Sequence, residues 1–207
     1  MGRGRAATYD EQRDAIVARA AELFAQRGYP ATSMNQVAEA CGLSKATLYH
    51  YYEDKYALLL SIADTHVSRL ERIVAEELAQ EATPKRRMRA LIARLVQEYA
   101  HAQHAHRVLT EDVKFLDAAD RERVLDKERA VVRGFAQVVT ALRPDLAGSV
   151  MGTPLTMLLF GMVNWMFTWM KPDGELDYDD MAPIVADLFL GGLAAVKLPA
   201  RLDAEAA

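Results

Sequence analysis

The sequence is poor in cysteine, which excludes a disulfide bond within the chain. Its 207 residues include one cysteine, Cys41, so no second thiol is available for pairing. Such a composition is typical of proteins in a reducing cytosol. The basic start MGRGRAATYDEQRD is not followed by an apolar stretch, so we expect no secretory signal peptide. These absences predict a cytoplasmic protein.

The chain also lacks an excess of positive charge, and its net charge is −4. Residues 1–60 hold seven Lys or Arg and seven Asp or Glu, whereas residues 61–207 hold 18 Lys or Arg and 22 Asp or Glu. Because strong nucleic-acid binders are often basic, bulk charge argues against general nucleic-acid binding. Any affinity for DNA must therefore come from the placement of a few cations.

Residues 146–170 contain no charged side chain. A transmembrane helix needs about 20 apolar residues, so this segment is long enough to span a bilayer. Its composition argues against insertion, because its only basic flank is Lys171. It is also interrupted by small and polar residues: Gly148, Ser149, Gly152, Thr153, Pro154, Thr156, Asn164 and Thr168. We interpret it as a buried helix of a soluble protein, with no membrane partner.

Apolar periodicity predicts an all-α fold of about nine helices, and no segment has the alternation of a strand. Capping boxes at residues 8–11 and 33–36 mark two helix starts. Ser44, Asp54 and the pair Thr83-Pro84 mark three more. Later helices are expected over residues 107–117, 119–142, 148–170 and 179–197.

The stretch from Met34 to Tyr51 has the pattern of a helix-turn-helix. Ala38 is small enough for two helices to cross closely, and Gly42 tolerates the positive φ of a tight turn. Apolar residues line the facing sides: Val37, Cys41, Leu43 and Leu48. The second helix of such a motif lies in the DNA major groove. The alternative is an ordinary helical hairpin in a bundle, but the caps favour the DNA-binding motif.

Helical geometry sorts the aromatic residues of the second helix. Leu48 and Tyr52 lie four residues apart and share an inward face. Tyr49 and His50 point away from that face, towards the expected groove. Tyr51 lies at the margin, where its phenol can either bind a phosphate or pack half-buried. The helix starts at Ser33, Ser44 and Asp54 present backbone N–H groups that suit phosphates.

The sequence TSMNQVAEACGLSKATLYHYYEDKYALL resembles the DNA-binding signature of the TetR family of transcriptional regulators. The resemblance extends from about Tyr9 to Leu60. It implies a homodimer that binds double-stranded DNA at a palindromic operator. By position, it assigns groove contacts to Lys45, Ala46, Thr47, Tyr49 and His50, and phosphate contacts to Thr32, Ser33, Tyr51 and Lys55. The chain departs at Tyr52, where the family usually has phenylalanine, so its hydroxyl must find a partner.

The resemblance implies three regions: a helix-turn-helix domain over residues 1–55, a larger helical ligand-binding and dimerisation domain over 56–200, and a tail over 201–207. The segments LLFGMVNWMFTWMKPDGEL and VADLFLGGL are similar to TetR-type regulators of fatty-acid, steroid and aromatic-acid breakdown. Phenylacetyl-coenzyme A regulators are the nearest of these. This similarity implies a repressor that releases its operator on binding an acyl-coenzyme A thioester.

An alternative is a TetR-type regulator of efflux or of another pathway, responding to a free hydrophobic or aromatic compound. An architectural DNA binder without an effector is a further alternative. An enzyme acting on acyl thioesters is not supported, because Cys41 lies inside the helix-turn-helix and no nucleophile and base have a recognisable spacing. We expect no cofactor and no metal, and we interpret His101 and His104 as marking a helix end.

The expected ligand residues are Phe115, Phe160, Asn164, Trp165, Thr168 and Trp169. Tryptophans and methionines suit an adaptable cavity in which Asn164 orients the effector. Equally, one face of this apolar helix can pack on the core while the other meets a partner subunit. The small residues of the last helix suit pairing with its symmetry mate. The segment Lys85–Arg89 offers cations for phosphates, although most such runs are only solvated helix faces.

Overall fold

The computed structural model describes the backbone of residues 3–170 and 174–197, and side chains from residue 9 onward. This part of the chain forms nine α-helices and no strand, as the sequence predicts. The helices are α1 (Arg3–Arg27), α2 (Met34–Ala40), α3 (Lys45–Tyr51), α4 (Lys55–Ala79), α5 (Pro84–His101), α6 (Gln103–Asp112), α7 (Ala118–Leu142), α8 (Gly152–Asn164) and α9 (Tyr178–Ala195). Short 3₁₀ turns occupy residues 113–115, 144–146 and 166–168.

Most predicted helix starts are confirmed by hydrogen bonds at the caps. Ser33 Oγ accepts from the Gln36 backbone N–H at 3.3 Å, and Gln36 Oε1 accepts from the Ser33 N–H at 2.8 Å. Ser44 Oγ accepts from the Thr47 N–H at 3.1 Å, and Asp54 Oδ1 accepts from the Ala57 N–H at 2.7 Å. Each cap satisfies a backbone donor that the first turn of a helix leaves open.

Three predicted helix boundaries differ from the structure. α1 begins at Arg3, so Thr8 lies inside the helix and not at its cap, because the preceding Arg and Ala residues favour its extension. The helix expected over residues 107–117 begins earlier and ends as a 3₁₀ turn. The helix expected over 148–170 ends at Asn164, where the Thr168 hydroxyl and N–H both donate to the Trp165 carbonyl.

Two compact units divide the chain. The first comprises the described residues up to Arg69 together with Ala102–Asp126. In it α1 packs against α2 and α6, and α2 packs against α3. Its fully buried core includes Ile16, Ala20, Leu48, Leu58 and Ile62. The domain boundary at residue 55 stays a prediction.

The second unit comprises Leu70–His101 and the described residues from Lys127 onward. Its α9 packs against α5 and α8. Phe135 and Phe160 meet edge to face in its core, with ring centroids 5.1 Å apart. Across the described ranges, no helix combines the length and apolar character needed to cross a bilayer.

A close helix contact in the second unit predicts the effect of Gly134→Ala. A Cβ atom on Gly134 of α7 would clash with Val74 Cγ1 of α4. We expect this substitution to lower the free energy of unfolding by about 1–3 kcal/mol, although alanine favours helices over glycine. Urea unfolding measures the loss. In a Val74→Ala background the same change should cost much less, and an equal cost in both backgrounds would contradict the clash.

A buried histidine pair in the first unit predicts acid-sensitive stability. His66 Nε2 of α4 lies 3.3 Å from His106 Nδ1 of α6. Burial, with Arg69 adding to it, lowers the pKa of His66 to about 4. Burial, with His66 adding to it, lowers the pKa of His106 to about 3. Because the unfolded chain takes up these protons near pH 6.5, stability is complete above that pH and falls as the pH drops towards 4.

At pH 5 the free energy of unfolding is lower than its value at neutral pH by about 2 kcal/mol for each histidine. Urea unfolding at pH 7.5 and pH 5 measures it. In His66→Asn the loss between the two pH values should shrink by about that amount, whereas the exposed-site control His104→Asn should keep the wild-type loss. An unchanged loss in His66→Asn would exclude the pair as its origin.

Candidate functional site

The helix α3 has one buried face and one exposed face. Leu48 is completely buried and Tyr52 nearly so. The opposite face carries residues that remain exposed: Lys45, Ala46, Thr47, Tyr49 and His50. Tyr49 is 42% exposed, and Lys45 Nζ lies 5.7 Å from its ring centroid. The predicted division of burial is therefore confirmed, while contact of the exposed face with DNA stays a prediction.

The unusual tyrosine at position 52 has partners for its hydroxyl. Arg13 Nε of α1 donates to it at 3.1 Å. Ser61 Oγ of α4 lies 3.2 Å away on the other side. The Arg13 guanidinium also lies 5.5 Å from the ring centroid. Tyr52 thus joins α1, α3 and α4, and its polar atom is satisfied where phenylalanine would offer none.

An aromatic cluster at the end of α3 includes a residue that the sequence did not indicate. The Tyr51 ring stacks on Tyr9 of α1, with centroids 4.7 Å apart and planes inclined by 26°. His50 meets both rings edge-on, at 5.7 Å from Tyr51 and 6.4 Å from Tyr9. Tyr51 is half-buried, as one of its two interpretations predicts. Its contact with a phosphate stays a prediction. Tyr9 was missed because its partner lies 42 residues away in sequence.

The expected phosphate contacts separate into two groups. Ser33 and Ser44 are exposed at the starts of α2 and α3, where their hydroxyls serve as caps. Thr32 is a correction: its side chain is buried and its hydroxyl donates to the Gly28 carbonyl at 3.0 Å. Its hydroxyl therefore stabilises the loop after α1 and is not available to a phosphate.

Lys55 also has a structural role that the sequence did not reveal. Its amine donates to the carbonyls of Tyr29 at 2.9 Å and Pro30 at 3.2 Å, and it lies 4.5 Å from the Tyr29 ring centroid. The amine thus fixes the loop between α1 and α2 to the start of α4. One of its three N–H donors remains for a phosphate.

The expected ligand residues fall in both units. Phe115 belongs to the first unit, where its ring lies 5.3 Å from that of Tyr29. The remaining residues belong to the second unit: Phe160, Asn164, Trp165, Thr168 and Trp169. Among these, Phe160 is buried, and Asn164 Oδ1 is shielded from solvent without a hydrogen-bond partner in the described part of the chain.

In the described part of the chain, Trp165 and Trp169 are mostly exposed. They are 66% and 52% exposed. The Thr168 side chain is exposed as well, and its hydroxyl donates to the Trp165 carbonyl at 2.7 Å. This arrangement agrees better with the interpretation in which one face of the apolar segment meets a partner.

An apolar surface covers parts of α8 and α9, and we call it the α8–α9 face. It consists of Met157, Leu158, Trp165, Ile184 and Leu188, all of them exposed. A Cβ atom on Gly161 would meet no atom within 4 Å, so the backbone is open there. Exposed apolar surfaces of this kind mark interaction sites.

His101 and His104 flank the end of α5, as predicted. α5 ends at His101 and α6 begins at Gln103. His101 Nδ1 lies 2.8 Å from the Gln97 carbonyl oxygen, one turn earlier. Among the residues that the structure describes, no group of three or more His, Cys, Asp or Glu side chains is arranged to hold a metal ion.

Several known proteins are similar to this chain in fold or in sequence. A TetR-family transcriptional regulator from Bordetella parapertussis is 34% identical and superimposes with a TM-score of 0.82, covering 90% of this chain and 98% of its own. AibR, solved in complex with isovaleryl coenzyme A and operator DNA, is 26% identical with a TM-score of 0.75, covering 86% and 97%. The transcriptional activator FasR from Mycolicibacterium smegmatis is 25% identical over 200 residues, covering 95% of this chain and 89% of its own.

Two family models match the sequence. Residues 16–62 match the bacterial regulatory proteins of the tetR family. Residues 81–193 match the tetracyclin repressor-like C-terminal domain, which is more than half of the chain. Together with the exposed face of α3, these matches show that the chain belongs to the TetR family, whose members are DNA-binding transcription regulators and not enzymes.

Proposed function

We propose that this protein is a cytoplasmic homodimeric repressor that binds a palindromic operator through α3. The observation that carries this proposal is the exposed face of α3, held in place by the buried Leu48 and Tyr52. Lys45, Thr47 and Tyr49 lie in the first two turns of α3, where recognition helices contact base edges. Ser33, Ser44, Tyr51 and Lys55 flank them as phosphate contacts. Contacts to the DNA phosphates position such a protein, and the few contacts to base edges specify the DNA site.

The α8–α9 face supports the homodimer. A two-fold axis brings the same surface of each subunit together, so an apolar face can pair with its own copy. Leu188, at 65% exposure, is among its most exposed members. In such a dimer we expect the two copies of α3 to contact two half-sites about one turn of DNA apart.

Leu188→Arg therefore tests the dimer. Placing a charge in an apolar two-fold interface brings two like charges together, so we expect a monomer in sedimentation analysis and a loss of operator affinity of at least about 100-fold. The circular dichroism of the helices should remain. An exposed charge reversal outside this face, Arg72→Glu, serves as the control. A dimeric Leu188→Arg with wild-type operator affinity would contradict the assignment.

We propose an acyl-coenzyme A thioester as the effector. The support is the similarity to AibR, whose structure contains isovaleryl coenzyme A and operator DNA. An effector that prefers another arrangement of the ligand-binding unit shifts the population away from the DNA-binding form. Both α4 and α7 begin in the first unit and end in the second, so they are the continuous elements through which such a change reaches α3.

The experiment is a fluorescence anisotropy titration of the DNA upstream of the protein's own gene. We expect sequence-specific binding that weakens with salt, and release of the DNA by one member of a series of acyl-coenzyme A esters including isovaleryl coenzyme A. Free carboxylic acids and free aromatic compounds are the matched controls. Release by the free compounds alone would contradict the thioester and support the efflux-type alternative.

A further inference from the structure

A cavity in the second unit combines positive charge with an apolar floor. It has a volume of about 390 Å³ and lies where the start of α5 meets the end of α7 and the second half of α9. We call it the α5–α9 groove. Its lining residues are Lys85, Arg89, Leu142, Arg143, Asp187, Leu190, Gly191, Leu193 and Ala194. This volume lies in the range of small-molecule sites.

Two cations of α5 line the groove on one side of the helix. Lys85 and Arg89 are four residues apart, so they lie on the same face about one turn from each other. Arg89 Nη2 forms an ion pair with Asp187, which leaves its other N–H donors available. Within the two stretches that the structure describes, the Lys85 amine has no hydrogen-bond or ion-pair partner. The groove therefore contains cationic donors that the fold itself does not use.

The start of α5 adds to this positive potential. Thr83 caps the helix through its Oγ1, and Pro84 is its first residue. The N-terminal end of the helix, with its positive partial charge, lies at the same side of the groove as Lys85. The protein as a whole carries a net charge of −4, so attraction of an anion to the groove depends on these local groups and not on bulk charge.

Arg143 forms a fixed wall of the groove. Its Nε and Nη2 donate to the two carboxylate oxygens of Asp145 at 2.8 and 2.6 Å. It also donates to the carbonyls of Leu193 and Val196 at the end of α9. Four of its five N–H donors are thus used within the protein. Its role is to hold the end of α9 in position beside the groove.

The floor of the groove is apolar. Leu142, Leu190 and Leu193 line it, next to the small residues Gly191 and Ala194. A Cβ atom on Gly191 would meet no atom within 4 Å, so the surface above α9 is open. An apolar floor beside unused cationic donors suits a ligand that has both a flat ring and an anionic group.

We propose that the α5–α9 groove binds a phosphorylated nucleoside. Lys85 and Arg89 contact its phosphates, which both residue types bind well. The leucine floor contacts the base. Two sources carry this chemistry: the nucleotide end of a coenzyme A thioester, which rests on the proposed function, and a free adenine nucleotide, which does not.

The test is isothermal titration calorimetry with adenosine 3′,5′-bisphosphate, the nucleotide end of coenzyme A, and with ADP. We expect binding to the wild type and a dissociation constant raised about tenfold or more in Lys85→Met, because one charge-assisted contact is lost. Lys85→Met is chosen because this amine contacts no hydrogen-bond or ion-pair partner in the part of the chain that the structure describes. Arg86→Met removes the same charge one residue along α5, from a side chain outside the groove lining, and should bind like the wild type.

Equal binding by wild type and both variants would overturn the assignment to this groove, and so would the absence of binding to the wild type. Operator release separates this inference from the proposed function. If a thioester releases DNA from the wild type and from Lys85→Met at the same concentration, the groove does not hold the nucleotide end of the thioester and the effector stands. Lys85-dependent binding of ADP then assigns the groove to a free nucleotide, and Lys85-independent binding overturns the inference. If no thioester releases DNA while adenosine 3′,5′-bisphosphate binds in a Lys85-dependent way, the groove stands and the effector is wrong.

Discussion

Leu48→Ala is expected to lower the free energy of unfolding of the first unit, which contains the helix-turn-helix, by about 2–5 kcal/mol. Leu48 is completely buried on the inward face of α3, and its replacement leaves a cavity that the surrounding helices cannot fill. α3 has only seven residues, so it depends on this packing and not on its own helix propensity. Urea unfolding followed by circular dichroism measures the loss.

Tyr52→Phe is the matched control on the same face. It keeps the buried ring and removes the hydroxyl that contacts Arg13 and Ser61, so we expect a loss of about 1 kcal/mol. A Leu48→Ala protein as stable as the wild type would show that α3 is not anchored through this residue. Equal losses in Leu48→Ala, Tyr52→Ala and Tyr49→Ala would contradict the division of α3 into two faces.

Tyr49→Ala is expected to weaken operator binding about tenfold to 100-fold without loss of stability. Tyr49 lies on the exposed face of α3 beside the Lys45 amine, and a lost base contact costs about 1–3 kcal/mol. Substitutions at exposed positions change the free energy of unfolding by about 0.5 kcal/mol or less. Anisotropy titrations of operator DNA measure the affinity, and urea unfolding measures the stability.

Tyr49→Phe separates the two ways in which this residue can contact DNA. An affinity restored by phenylalanine indicates contact through the ring, whereas a loss equal to that of Tyr49→Ala indicates a hydrogen bond from the hydroxyl. Unchanged affinity in Tyr49→Ala would remove this residue from the interface.

Local signals in the sequence predict most of the fold. Ser33, Ser44 and Asp54 cap helices where their side chains reach N–H groups three residues later. The glycine expected in the turn, Gly42, has a φ of 66°. Such features depend on neighbours within one turn of helix, so a single sequence contains all the information needed.

Contacts between distant segments could not be predicted in the same way. Thr32 and Lys55 are residue types that often contact phosphates, yet their polar atoms donate hydrogen bonds to backbone carbonyls of the loop after α1. Tyr51 stacks on Tyr9, and His66 meets His106 across 40 residues. These pairings depend on how helices cross, which periodicity alone does not specify. His66 lies four residues from both Ile62 and Leu70, and all three are buried on the same face of α4.

The central claim is that two copies of α3 read one DNA site. Selection of duplexes from a random pool by the wild-type protein, followed by anisotropy titration of the enriched sequence, tests it most directly. We predict an inverted repeat whose half-site centres lie about one turn of DNA apart, bound as a dimer and at least about 1,000-fold more tightly than unrelated DNA. Enrichment of no sequence, or equal affinity for every duplex, would contradict the claim.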